Sequence, residues 1–155
     1  MSPQQMDAKR ERVSMVRLFS CVVAMLTVLY GMTALAADYR YVKTDTFKGW
    51  LESGKQVIIV DIQAPEGFAK GHFKGALETN AYPVKTDEEK KRLDATLEKI
   101  GATKDDVVIV CPRGGGGAKN TYDYLKSRGV DENRMYILEK GAEGWPWPEL
   151  CVTGR

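Results

Sequence analysis

The hydrophobic pattern changes its period along the chain, and the changes mark a series of elements. Val57 to Val60 (VIIV) and Val107 to Val110 (VVIV) are continuous β-branched runs, the signature of strands buried on both faces of a parallel sheet. Met135 to Leu138 (MYIL) predicts a further short strand. Between these runs the spacing turns helical. Phe47, Trp50 and Leu51 share one face of a short helix that Thr44 can cap and Gly54 ends. Pro65 opens a brief helical turn. Asp87 to Ile100 reads as one amphipathic helix with Leu93, Leu97 and Ile100 inward, stopped by Gly101. A last helix is expected from about Ala118 to Arg128, with Tyr122 and Leu125 inward and Gly129 at its end. Strands alternating with helices predict an α/β fold around a parallel sheet, and the GAEGWPWPEL segment, with Trp145 and Trp147, closes the domain.

The first stretch follows a different logic. Lys9, Arg10, Arg12 and Arg17 form a basic flank, Leu18 to Tyr30 runs apolar, and Ala34-Leu35-Ala36 supplies small residues at a cleavage position. That order predicts a secretory signal over residues 1–36, with a single domain over 37–155. The alternative is an uncleaved anchor, since the run from Leu18 to Ala37 approaches the ~20 residues that span a bilayer. Either way the domain is expected outside the cytoplasm, in the periplasm or an equivalent space, touching a membrane only through this segment.

Composition narrows the function classes. Hydrophobic residues make up 43% and charged residues 28%, a globular balance. A net charge of +2 without a basic, aromatic-interleaved stripe argues against nucleic acid as a partner. Three cysteines and one histidine offer no CxxC pair and no paired histidines, so no metal and no other cofactor is called for.

The chemistry concentrates after the second valine-rich run. Cys111 ends that strand, where open α/β sheets place their sites, and Pro112-Arg113-Gly114-Gly115-Gly116-Gly117-Ala118 follows. Consecutive glycines free the backbone to turn its N–H groups inward. With the positive end of the next helix they form a nest for an anion, and such a field favours a thiolate nucleophile. A persulfide on Cys111 would place its terminal sulfur in that nest.

These segments resemble the rhodanese-like family of single-domain sulfurtransferases. VIIVDIQAPEGFAKGHFKGALE (57–78) is similar to the family's opening motif: a strand ending in Asp, then Glu-x-Phe, then Gly-His and Gly-Ala. VVIVCPRGGGGAKNTYDYLKSRGV (107–130) is similar to its active-site strand, loop and helix, and Gly141-Ala142-x-x-Trp145 to its closing element. The resemblance implies a three-layer fold with a parallel sheet of about five strands between helices. It also implies that Cys111 takes sulfane sulfur from a small sulfur-containing anion, such as thiosulfate or polysulfide, and gives it to a thiol or protein acceptor. Asp61, Glu66, Gly71 and His72 then belong to the structural motif, with His72 in a hydrogen-bonding role.

Three departures from the family pattern stand out. Gln63 occupies the position of an Arg, the end of the loop is all glycine with its one cation early at Arg113, and the loop reads about one residue longer. The longer loop resembles that of related phosphatases and arsenate reductases, whose clamping Arg would fall on Gly117. A loop without that guanidinium lacks much of the oxyanion stabilisation such reactions use. Cys151 is the remaining open position: idle, intermolecular, or a thiol resolving Cys111 in a dithiol cycle. A domain that only carries sulfur to a redox partner is a further alternative.

Overall fold

A computed structural model describes residues 38–155, and the predicted signal or anchor lies outside them. In chain order the elements are β1 (Tyr41–Val42), α1 (Thr44–Glu52), β2 (Val57–Asp61), α2 (Pro65–Lys70), β3 (His72–Phe73), β4 (Leu77–Glu78), α3 (Asp87–Lys91), α4 (Asp94–Ala102), β5 (Asp106–Val110), α5 (Gly116–Ser127), β6 (Met135–Leu138) and β7 (Cys151–Val152). Single 3₁₀ turns, Glu132–Arg134 and Pro148–Leu150, precede β6 and β7. Among these described residues no helix is long and apolar enough to cross a membrane.

Five strands form one parallel sheet in the order β1-β6-β5-β2-β4. The two valine-rich runs lie side by side at its centre, with Val57 opposite Asp106 and Asp61 opposite Val110. Alternation along β5 divides the core into two layers. Val107 and Ile109 pack with Leu93, Ile100, Ala118, Tyr122 and Leu125 beneath α4 and α5. Val108 and Val110 pack on the opposite face with Phe47, Phe73 and Trp145. There Phe47 meets Phe73 and Trp145 edge-on, at 5.1 and 5.8 Å between ring centroids. Each such pair contributes about 1 kcal/mol beyond its buried area.

Local details depart from the sequence pattern. The helix expected over Asp87 to Ile100 is two helices. Arg92 and Leu93 donate to the carbonyls of Glu89 and Lys90, tightening the backbone into i→i−3 bonds while Leu93 becomes fully buried. Gly101 lies inside α4 instead of stopping it. α1 is capped by the backbone of Lys43, with no side-chain bond from Thr44, which is already helical. The C-terminal segment adds a strand that periodicity does not reveal: β7 pairs antiparallel with β3, Phe73 opposite Cys151.

α5 begins two residues earlier than expected, at Gly116. The loop outside the helix is therefore Cys111 to Gly115, and Gly116 and Gly117 supply unpaired amides of the first helical turn.

Candidate active site around Cys111

Because the sheet is parallel, the segments that follow β2, β4, β5 and β6 gather at its carboxyl edge. Backbone hydrogen bonds knit them together. The Ile62 amide donates to the Val110 carbonyl at 2.9 Å, and the Tyr82 amide donates to the Ile62 carbonyl at 2.9 Å. From the far side the amides of Ala142 and Glu143 donate to the carbonyls of Cys111 (2.8 Å) and Pro112 (2.9 Å).

Cys111 stands at the centre of this edge, 1% exposed. The Gly114 amide donates to its sulfur at 3.0 Å. The positive end of α5, equivalent to roughly half an elementary charge, opens at Gly116. A negative charge on sulfur is thus met by an aligned amide and by a helix terminus.

The four glycines have different duties. Gly114 has φ +67°, and a Cβ there would lie 2.9 Å from the Leu138 carbonyl oxygen and the Lys140 nitrogen. At Gly117 a Cβ would lie 2.9 and 3.0 Å from the Tyr82 ring and 3.3 Å from Ile62. Gly115 and Gly116 have nothing within 4 Å of that position, and both are exposed. Two glycines fit the loop into the fold; the other two leave its mouth open.

Gly141, in the closing motif, backs the loop most closely. Its φ is +62°, and a Cβ would sit 2.2 Å from the Cys111 carbonyl oxygen and 2.6 Å from the amide nitrogens of Arg113 and Gly114. Pro112 is half-buried and Ala118 buried, whereas Arg113 is exposed and has no acidic partner among the described residues.

The residues of the opening motif form a separate buried network. Asp61 is fully buried and accepts from the Gln63 amide (2.9 Å) and Gln63 Nε2 (3.0 Å). Gln63 Nε2 also donates to the Gly71 carbonyl at 3.3 Å. Burial pushes the Asp61 carboxyl up to about 6, because the Gln63 amides that oppose the shift carry no full charge. His72 donates from Nδ1 to the Phe68 carbonyl at 2.9 Å and stacks on the Phe68 ring at 3.7 Å. Glu66 is exposed in the first turn of α2.

Cys151 is half-buried among Gln63, His72, Phe73 and Trp145, lining a cavity of about 190 Å³. Burial, with Asp61 and Glu149, pushes its thiol up. It borders the Val108 and Val110 layer, and Cys111 belongs to the layer of Val107 and Ile109. The sheet lies between the two cysteines, and both are free thiols.

Two tyrosines that sequence patterns did not single out flank the loop. Tyr41 is 42% exposed, with its hydroxyl 3.5 Å from the Gly114 carbonyl oxygen; burial and the charge of Cys111 push its phenol up. Tyr82 is 36% exposed and covers Gly117. Neither carries a period or motif that would flag it. Long-range strand order alone brings them to Cys111.

Comparisons with known proteins agree with this architecture. Solved structures with the same fold include a rhodanese-like domain protein from Staphylococcus aureus (24% identity, TM-score 0.53, covering 75% of this chain and 99% of that one). A yeast protein tyrosine phosphatase of the rhodanese family matches at 19% identity and a TM-score of 0.53, covering 70% and 85%. The thiosulfate sulfurtransferase of Pseudomonas aeruginosa matches at 19% identity and a TM-score of 0.55, over 75% of this chain but 20% of that one. No curated protein matches the chain. The family model for the rhodanese-like domain matches residues 43–146, from the start of α1 through Trp145. With that match spanning four of the five strands of the parallel sheet and the Cys111 loop, the chain belongs to the rhodanese-like domain family.

Proposed function

We propose that this domain is an exported sulfurtransferase that carries sulfane sulfur on Cys111. The observation that carries the proposal is the Gly114 amide aimed at the Cys111 sulfur at 3.0 Å, beside the open N-terminus of α5. Amide dipoles fixed before the reaction stabilise charge without reorganisation. In the first half-reaction the Cys111 thiolate attacks the sulfane sulfur of thiosulfate or a polysulfide. The Sγ–S bond forms, the donor's S–S bond breaks, and its electron pair leaves with sulfite or the shortened polysulfide. In the second, an acceptor thiolate attacks the outer sulfur and the Cys111 thiolate is released. The amides of residues 112–117, apart from that of Pro112, which has no N–H, are the candidate cradle, with Arg113 as the cation nearest the entrance. Asp61, Glu66, Gly71 and His72 support the fold around it.

Gly117 weighs against the phosphatase or arsenate-reductase alternative. A clamping guanidinium there would have to pass through the space of the Tyr82 ring. Cys151, across the sheet, weighs against the dithiol cycle.

The intact mass of the secreted protein after exposure to thiosulfate, and separately to polysulfide, tests the proposal. A gain of one sulfur that disappears in Cys111→Ser is expected, with a mature N-terminus following Ala36. No adduct from either donor sinks the sulfurtransferase reading. Stoichiometric loading with negligible turnover points instead to the sulfur-carrier alternative.

A further inference from the structure

β1 is an outer strand of the sheet, and its register puts Tyr41 opposite Ile137 on β6. β6 ends against Gly114, where a Cβ would meet the Leu138 carbonyl oxygen and the Lys140 nitrogen. Tyr41 thereby stands beside the loop, its hydroxyl 3.5 Å from the Gly114 carbonyl oxygen, while the Gly114 amide donates to the Cys111 sulfur at 3.0 Å. A single glycine lies between the phenol and that sulfur.

The Tyr41 hydroxyl is uncommitted. O–H···O bonds are strongest near about 2.7–2.8 Å, and other tyrosines of this domain reach partners at such lengths. Tyr39 donates to Asp123 at 2.8 Å and Tyr124 to Asp94 at 2.6 Å. Tyr41 has only the Gly114 carbonyl, at 3.5 Å, among the described residues. Burial and the charge of Cys111 push its phenol up, so it keeps its proton and remains a donor. At 42% exposure it faces the solvent, as do Gly115 and Gly116 at the loop's mouth.

Cys111 is 1% exposed, which fixes how a donor must approach. An S–S bond is about 2 Å long, so a thiosulfate entering with its sulfane sulfur first leaves its sulfonate at the mouth. Resting on the sulfur-transfer reading above, the geometry points to Tyr41 as the residue that selects an oxyanion-bearing donor, its O–H donating to a sulfonate oxygen while Cys111 attacks the sulfane sulfur. The Sγ–S bond forms, the donor's S–S bond breaks, and its electron pair leaves with sulfite. The phenol proton stays on Tyr41 throughout. The hydrogen bond strengthens as charge gathers on the departing sulfite. A polysulfide offers the same hydroxyl only sulfur, a weak acceptor.

The test compares Tyr41→Phe with wild type, which differ by one exposed hydroxyl. The rate constant for gain of one sulfur at Cys111 is followed by mass, with thiosulfate and with polysulfide as donors. Thiosulfate loading is expected to slow roughly tenfold, the scale of one hydrogen bond to an anion, with polysulfide loading unchanged. Equal slowing with both donors, or none with thiosulfate, overturns the inference while leaving the persulfide reading intact. A wild type that loads from polysulfide and never from thiosulfate overturns it as well. If neither donor loads, the sulfur-transfer reading fails, and sulfite titrated into Cys111→Ser decides the contact by NMR. Shifts at Tyr41 and at the Gly114 to Gly116 amides, with an affinity that falls when Tyr41→Phe is added, support it. Their absence overturns it.

Discussion

A Cβ on Gly117 would lie 2.9 Å from the ring of Tyr82, so the first turn of α5 and the segment after β4 touch with no side chain between them. The contact connects the helix that follows the Cys111 loop to a residue 35 positions away in sequence. It also leaves a side chain at Gly117 no room unless the Tyr82 ring moves.

Gly117→Ala should therefore destabilise the domain by about 1–3 kcal/mol through overpacking. Tyr82→Ala should relieve that cost, which a double-mutant cycle in urea reads as a coupling energy. Additive effects would show that the ring simply swings aside. Gly117→Arg in the Tyr82→Ala background is expected to fold better than in the wild type, by the same midpoint.

Two glycines that border the Cys111 loop, one behind it and one at the start of α5, should respond in opposite ways. Gly141→Ala forces a Cβ against the Cys111 carbonyl at positive φ and should cost more than about 3 kcal/mol or prevent folding. Gly116→Ala meets open space in a helix and should be neutral or stabilising by up to about 1 kcal/mol. Denaturant midpoints decide it; comparable losses at both positions would contradict the assignment.

Asp61 gives the fold a pH signature of unusual sign. Its folded value, about 6, lies above its ordinary 3.8, so the native state binds more protons than the unfolded chain between those values. The contribution of Asp61 is fully present below about pH 3.8 and is lost as pH rises through 6. Asp61→Asn removes it. The stability of the variant relative to wild type should rise by on the order of 2 kcal/mol between pH 4 and 7. A difference that stays flat across that range would mean that Asp61 titrates as an ordinary carboxylate.

Cys151→Ser should leave sulfur loading of Cys111 unchanged, since the sheet separates the two thiols. Mass spectra of loaded wild type and variant provide the comparison. A loss of loading, or an internal disulfide in the oxidised wild type, would return Cys151 to the cycle.

Much of this fold is legible in residue order. The two valine runs and MYIL are strands where alternation and burial require them, and β5 runs straight into Cys111. Local periodicity fails where distant partners decide. The break at Arg92 follows from Leu93 turning fully inward while the Arg92 guanidinium reaches the Asn80 carbonyl at 2.6 Å. The β3–β7 ribbon joins residues 72–73 to 151–152, too short to leave a pattern. At the candidate site, Cys111 and the glycine run after it stand out in the sequence by type and spacing. The roles of Tyr41, Tyr82 and Gly141 were not, because each depends on a contact made across the sheet's edge.

The bonds that Ala142 and Glu143 make to the loop have a directional consequence. Across a planar trans peptide, C=O and N–H point opposite ways. Drawing the Pro112 carbonyl toward Glu143 therefore turns the Arg113 N–H away from that residue. The electrical orientation of this stretch is written by amino acids some thirty positions downstream. A chain still emerging from its ribosome would hold Cys111 before it held the residues that set the polarity around it.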